Sequence, residues 1–304
     1  MSSSAIEVFT SSVSPTATRI QSLPAIVLVF GGPLSSDPHS SARQIFINWL
    51  LAKRHAISPL VRTPEQFEDW NKLEGYENLI DFERDAGSLS KAIVLFSESA
   101  GSFAELGAFC MDDVLAERLF VVVDKYHYNA GSFIANGPIK KIEKHHKGAI
   151  CVVDTIDPKK IEPQLGQVAD AVLEKINSTP RTIAFDPTHQ RDQSLLVADI
   201  VELFGALTEY ELLQLIRFMG VGISRARLEQ IVNQLIRFEL VHLVGKMTKR
   251  FVIPPKNRES YLNYATAQEG TAFDRQRFKL KQTFPWLTQD KVRFEAYREV
   301  HPGS

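Results

Sequence analysis

The chain is poor in several things that would narrow its role. Among 304 residues there are two cysteines, Cys110 and Cys151, with no CxxC spacing. That excludes a disulfide framework and a cysteine zinc site. It leaves two buried free thiols in a reducing compartment as the expectation. No stretch approaches the about 18 apolar residues of a membrane span. Residues 1–22 are rich in Ser and Thr and lack the basic start and apolar run of a signal peptide. They are expected to form a flexible N-terminal arm, and the protein to be cytoplasmic, with no membrane partner. Net charge is only −1, so no global field points to nucleic acid or a lipid surface. His145-His146 lies among lysines without metal-ligand spacing, and no metal is expected. No internal repeat is present.

What is there reads as a globular protein. Hydrophobic residues make up 44% and charged residues 23%, enough for a sizeable core. The length suits two domains. Over residues 23–180, four apolar runs stand out: Ala25–Phe30, Ala92–Phe96, Leu119–Val123 and Ala149–Val153. Such continuous runs predict strands buried on both faces. Between them, helical periodicity covers Ser40–Lys53, Glu77–Leu89, Phe103–Ala116 and Ile161–Ile176, with a short strand over Ala56–Val61. Alternating strands and helices predict an α/β fold, a Rossmann-like and mostly parallel sheet with flanking helices. Ligands of such sheets bind beyond the carboxyl ends of the strands. The loops after Phe30, Phe96 and Val123 therefore matter most.

Pro180, Pro187 and a polar run mark a linker over residues 181–193. Residues 194–256 then change pattern. Helices over Leu195–Leu207, Thr208–Phe218 and Ser224–Phe238 precede two short apolar runs around Gly245–Lys249. Helix, turn, helix, hairpin is the order of a winged-helix domain. Arg225 and Arg227 on its last helix, and Lys246, Lys249 and Arg250 on its wing, are candidate nucleic-acid or partner contacts. Residues 181–304 carry eighteen Lys and Arg against fourteen Asp and Glu, a modest excess. Leu228, Ile231, Val232 and Leu235 form a core stripe that leaves few side chains to read bases. Docking onto a nucleoprotein, with phosphate contacts, is favoured over operator binding. Residues 257–304 form an aromatic-bearing tail expected to pack on a domain or a partner.

One stretch carries the chemistry: SESAGSFAELGAF, residues Ser97 to Phe109. Ser102 and Glu105 have capping-box spacing, so Glu105 could simply start a helix. The alternative is catalytic. This helix follows a strand at the ligand-binding end. Gly101 and Ser102 lack bulk, and the helix start favours phosphate or carboxylate. The same positive end is expected to keep Glu105 ionised, as a nucleophile at a sugar C1′ must be. His39 and Arg43 could meet a phosphate, although for Arg43 a solvated helix position is the preferred reading. Asn136-Gly137-Pro138 reads as a turn.

Gly31-Gly32-Pro33 after the first strand is similar to the glycine-rich opening of nucleoside deoxyribosyltransferases. Gly101-Ser102-Phe103-Ala104-Glu105-Leu106-Gly107 resembles their nucleophile motif. The block LFSESAGSFAELGAF, then SFIANGPIKKI, then a winged helix resembles the deoxyribosyltransferase-like effectors of bacterial retron anti-phage systems. The resemblance implies that Glu105 is the nucleophile. It implies that Gly31, Gly32, Pro33, Gly101, Ser102 and Asn136 shape the substrate pocket. It puts Asp85 in the place of a substrate-orienting acid, with Glu83 and Asp81 as alternatives. Glu98 stands near the acid that contacts the leaving base, one residue out of register. The implied activity is cleavage of an N-glycosidic bond, with NAD or another nucleotide as substrate and no further cofactor. A reverse transcriptase and its branched RNA–DNA product (msDNA) would be the partners that hold the toxin inactive. The related transferases build sites across subunits, which makes a homo-oligomer an expectation. A nucleotide-sensing DNA-binding regulator and a deoxyribosyltransferase are the alternatives.

Overall fold

The computed structural model describes residues 4–66, 76–178, 182–256, 260–268 and 272–303. They divide into two units. One holds residues 24–66 and 78–178; the other holds residues 4–23 and 76–77 with the chain from 182 onward.

The chain starts in the second of these units. α1 (Ala5–Ser12) opens with a capping box in which Ser4 and Glu7 exchange backbone contacts. β1 (Val13–Ile20) follows directly. The expected flexible arm is thus an ordered helix and strand. The physical reason lies far along the chain, where β1 finds its hydrogen-bonding partners.

The other unit begins with β2 (Val27–Phe30), which leads through Gly31-Gly32 to α2 (Ala42–Ala52). β3 (Val61–Arg62), shorter than expected, and α3 (Leu79–Leu89) lead to β4 (Ala92–Phe96). The helix expected over Phe103–Ala116 is two helices, α4 (Ala100–Phe109) and α5 (Asp113–Arg118). Asp112 breaks it, because its carboxylate accepts from the amides of Val114 and Leu115 and starts a new helix. β5 (Leu119–Asp124) and α6 (Lys125–Asn129) come next. The expected turn at Asn136-Gly137-Pro138 is a π-helical turn over Ala135–Ile139 that runs straight into α7 (Lys140–His145). Pro138 lacks an amide hydrogen, and the wider π turn accommodates that loss. β6 (Ile150–Val153) and α8 (Leu165–Asn177) complete the unit.

The five strands pair in parallel in the order β3-β2-β4-β5-β6. Every residue of β2 and β4 is buried, as the unbroken apolar runs require. Phe46 and Leu50 of α2 and Val168 and Val172 of α8 pack with Val29, Val94 and Phe96 in one core. Cys110 and Cys151 are buried and free. From β2 the chain goes first to β3 on one side and then to β4 on the other. The order of the sheet reverses there, and the crevice beyond β2 and β4 is the place where ligands bind in such sheets.

In the remaining unit, β7 (Ile183–Ala184) pairs with β1, and α9 (Gln190–Phe204) follows. The expected linker over residues 181–193 therefore contains a strand and the start of a helix. α9 is buried along nearly its whole length. β8 (Leu207–Thr208), α10 (Glu209–Phe218), α11 (Arg225–Arg237), β9 (His242–Lys246) and β10 (Lys249–Ile253) come next. Thr208 and Glu211 form the capping box that their spacing predicts. The strands make an antiparallel sheet ordered β8-β10-β9. β11 (Leu262–Thr266) joins β1 and β7 in a second antiparallel sheet. α12 (Arg275–Phe278), α13 (Phe284–Gln289) and α14 (Lys291–Val300) end the chain.

The tail packs inside its own unit. Leu287 and Ala296 join Ala206, Val244, Phe251 and Ile253 in a core. Phe9 of α1 makes edge contacts with Phe204, Tyr264, Phe273 and Phe278. Aromatic pairs of this kind contribute about 1 kcal/mol each beyond burial. They explain why the first and last segments order each other. Among the described residues, no helix is long and apolar enough to cross a membrane.

Candidate active site

Glu105 sits in the second turn of α4, half-buried, with its Oε2 out of solvent and without a hydrogen-bond partner among the described residues. It does not cap the helix. That task falls to Ser99, whose Oγ accepts from the Ser102 amide at 3.1 Å, while the Ser102 hydroxyl accepts from Ser99 at 2.9 Å. Ser102 is wholly buried in this capping box. Glu105 is thereby released from the capping role that its spacing suggested.

Nor does the helix start hold Glu105 fully ionised. Burial pushes its pKa up to about 7; Arg43 opposes the rise and Glu65 adds to it. Six residues past the cap Ser99, the carboxylate is beyond the first turn, where the helix dipole acts most strongly.

Glu83 of α3 belongs to the same cluster. It is buried, and burial, the Glu105 charge and the Glu65 charge together push its pKa up to about 8. Like charges in a shared low-dielectric site resist simultaneous ionisation, so Glu83 holds a proton at neutral pH. Glu83 is thus the acid coupled to Glu105. Asp85 lies on the same helix, is also buried, and has interactions of its own; Asp81 is exposed and caps the first turn with Asn78.

Arg43 supplies the positive charge. It is 3% exposed, pairs with Glu65 at 2.5 Å and donates to the Val29 carbonyl at 3.3 Å. The solvated position allowed for it is not what the fold gives. Arg43, Phe46 and Leu50 fall on one face of α2 at helical spacing, and that face is buried. The same spacing is a signal that sequence reading could have used. Glu65 was missed altogether. It lies in a 3-10 turn just past the carboxyl end of β3. Thr63 Oγ1, Ser97 Oγ and Arg43 Nε are further buried polar atoms without a partner among the described residues. Thr63 and Ser97 follow the carboxyl ends of β3 and β4, and Arg43 lies in the first turn of α2, which starts on the same side of the sheet.

Glu98 is engaged differently. Its Oε1 accepts from the amides of Gly32 at 2.8 Å and Arg43 at 3.0 Å, and its Oε2 from Ala42 at 2.6 Å. The carboxylate is an acceptor on a turn and a helix start. Both of its oxygens are engaged by backbone amides. Gly31 and Gly32 leave room for the carboxylate and for its neighbours: a Cβ on Gly31 would lie 2.8 Å from Glu98 Oε1, and one on Gly32 would lie 2.7 Å from Ser41 Cβ and 3.0 Å from Glu98 Cδ. Pro33 presents its carbonyl to the Ser40 and Ser41 hydroxyls. Gly101 is exposed, with only Ser99 Oγ near the space a Cβ would take. Asn136 is exposed and bonded along its own helix, to Ser132 and Lys140. Among the described residues, no group of three or more His, Cys, Asp or Glu is placed to hold a metal.

Of the five candidate cations of the other unit, three are in ion pairs. Arg225 meets Glu209 at 2.5 Å, Lys246 meets Glu299 at 2.6 Å and Lys249 meets Asp290 at 3.3 Å. Asp290 caps α14 and Glu299 lies on it, so the tail neutralises the hairpin. Arg227 bonds Gln230 on its own helix. Arg250 is exposed on β10, without an acidic partner among the described residues.

The family model of the STM3845 retron effector protein matches residues 39–243, well over half of the chain. The chain belongs to this retron effector family. The retron effector is also 28% identical, over 158 aligned residues, to the Escherichia coli protein named "Retron Ec73 putative ribosyltransferase/DNA-binding protein". That match covers 46% of this chain and 49% of the relative. The corresponding retron Ec86 protein of Escherichia coli is 32% identical over 84 residues, covering 28% of this chain and 27% of its own. The matched regions thus span about half and about a quarter of the curated relatives.

Proposed function

We propose that this retron effector is a toxin of anti-phage defence that cleaves an N-glycosidic bond, with Glu105 as nucleophile and NAD as substrate. The observation that carries the reading is the Glu105 carboxylate itself: a buried, partnerless oxygen in a carboxylate–arginine cluster, beyond the strands where the sheet order reverses. The ribosyltransferase names of the relatives support glycosyl chemistry in general.

The chemistry follows from charge. Ionised Glu105 attacks C1′ of the ribose, and the C1′–N bond breaks as an oxocarbenium-like centre develops. Its electron pair returns to the cationic pyridinium ring, so nicotinamide leaves neutral and needs no acid. Water then attacks C1′ of the glycosyl ester, ADP-ribose departs, one proton is released and the Glu105 carboxylate is restored. A neutral purine nucleoside would need a proton at the base. Glu98, held by three amides, is not placed to give one, which supports NAD as the substrate. Glu83 keeps its proton and leaves Glu105 as the anion of the two.

The helix–helix–hairpin of the other unit supports a winged-helix reading. Its paired cations favour docking onto a nucleoprotein over tight binding to bare duplex. The partner in this reading is the retron reverse transcriptase with its RNA–DNA product, which holds the effector inactive. Release of nicotinamide and nucleobases from NAD and a nucleoside panel, followed by chromatography, tests the proposal. The wild type should release nicotinamide and Glu105→Gln none. Equal release by both would discard Glu105 as nucleophile. No release by either, with the reverse transcriptase complex absent or present, would discard the glycosidase.

A further inference from the structure

In nucleotide-binding α/β sheets, glycines after a strand and free amides at the start of the next helix make a seat for phosphate. The β2–α2 turn has this construction, with Gly31-Gly32 followed by the start of α2. The Gly32 amide and the first four amides of α2 are all in use. Gly32, Ala42 and Arg43 donate to Glu98; Gln44 donates to the Ser41 hydroxyl at 3.0 Å and Ile45 to the Ser41 carbonyl at 3.1 Å.

We infer that Glu98 is a specificity-determining residue, a built-in anion that closes the phosphate seat of the β2–α2 turn, so that the part of a substrate meeting this turn is uncharged. Three observations carry the inference. The carboxylate spends both oxygens on the donors that a phosphate would take, at 2.6–3.0 Å. The glycines leave room for the carboxylate, since a Cβ on Gly31 would lie 2.8 Å from its Oε1 and one on Gly32, besides meeting Ser41 Cβ at 2.7 Å, would lie 3.0 Å from its Cδ. Finally, Glu98 reaches this turn from the loop after β4, the neighbouring strand and the one that leads into the helix of Glu105. A phosphate entering here would share amides with a fixed negative charge and be repelled by it. The consequence for the substrate rests on the glycosidic activity proposed above; the closure of the seat does not.

The test uses the full chain and inorganic phosphate, titrated against chloride at constant ionic strength, with thermal unfolding as readout. The wild-type midpoint should not respond to phosphate. Glu98→Ala should melt lower and regain several degrees as phosphate fills the vacated amides, since a ligand that binds only the folded state stabilises it by mass action. Glu98→Gln keeps the volume and one acceptor, and should respond less. An Ala variant that folds only with phosphate present would support the inference equally. An equal response of wild type and Glu98→Ala would overturn it. So would an Ala variant that ignores phosphate, or one that stays unfolded while Glu98→Gln shows no response. A second arm compares nicotinamide release from nicotinamide riboside and from its 5′-monophosphate, both of which carry the cationic ring. Glu98→Ala should shift that ratio towards the monophosphate by about tenfold, as expected for removal of one like charge. Absence of release from every variant would fall on the glycosidic reading, and the phosphate arm would still decide the closure.

Discussion

The Arg43 guanidinium lies 2.5 Å from the Glu65 carboxylate, and the two residues pull the Glu105 pKa in opposite directions. Burial sets the direction of the shift, and the ion pair trims it. Arg43 also donates its amide to Glu98, so one residue ties the glycine turn to the carboxylate cluster.

Activity that needs the Glu105 anion should rise with pH through about 7, where burial has moved its pKa. Arg43→Met should move the midpoint of that rise upward, and Glu65→Gln should move it downward. The pH profile of kcat/KM for nicotinamide release measures both. Shifts of the same sign in the two variants would remove the pair from the account.

Glu83 gives a stability prediction. Its folded pKa, about 8, lies above the ordinary 4.5, so the folded state binds the proton more tightly than the unfolded chain. The associated stability is fully present below pH 4.5 and is lost as pH rises through 8. Glu83→Gln removes this dependence. Melting curves from pH 5 to pH 9 should therefore show the variant gaining on the wild type as pH rises. A constant difference would mean that Glu83 titrates normally.

In the other unit, Asp199 is fully buried. It accepts from the amides of Tyr261 and Leu262 and pairs with Arg275 at 2.5 Å. Asp199→Asn leaves Arg275 buried with only Glu202 as an acidic partner, and should cost on the order of 3 kcal/mol in urea unfolding of that unit. Lys249→Ala breaks the exposed pair with Asp290 and should cost less than about 1 kcal/mol. Comparable losses would show that the buried network is not what holds β11.

Binding to a retron RNA–DNA product should depend on Arg250 more than on its neighbours. Arg250→Ala should reduce the salt slope of log K by about one contact. Lys246→Ala should change it less, because Glu299 already neutralises that lysine. Glu299→Gln should strengthen binding. Titrations at several salt concentrations test all three, and indifference to Arg250 would point to a protein surface as the docking site.

Much of the fold was legible in the chain. The runs ending at Phe30, Phe96 and Val123 announced buried parallel strands, because only a strand covered on both faces needs side chains that are apolar without alternation. Thr208 and Glu211 announced their cap. The place of Glu105 on the helix that follows β4 was legible too, since its spacing from a strand end is local information.

What the sequence could not decide was who meets whom. Ser102 fits a box with Glu105 as well as one with Ser99, and only the exact end of β4 chose the second. The first 22 residues look like a free arm until β11 and β7 pair with β1 from more than 160 residues away. Glu98 reads as an acid for a leaving base until α2 brings its amides to it. Arg43, Glu65, Glu83 and Glu105 come from four separate stretches, and their shared burial moves two carboxylates towards neutral pH. Local spacing sets caps and strands. Proton affinity depends on desolvation and on neighbours in space, and these exist only once the sheet has formed.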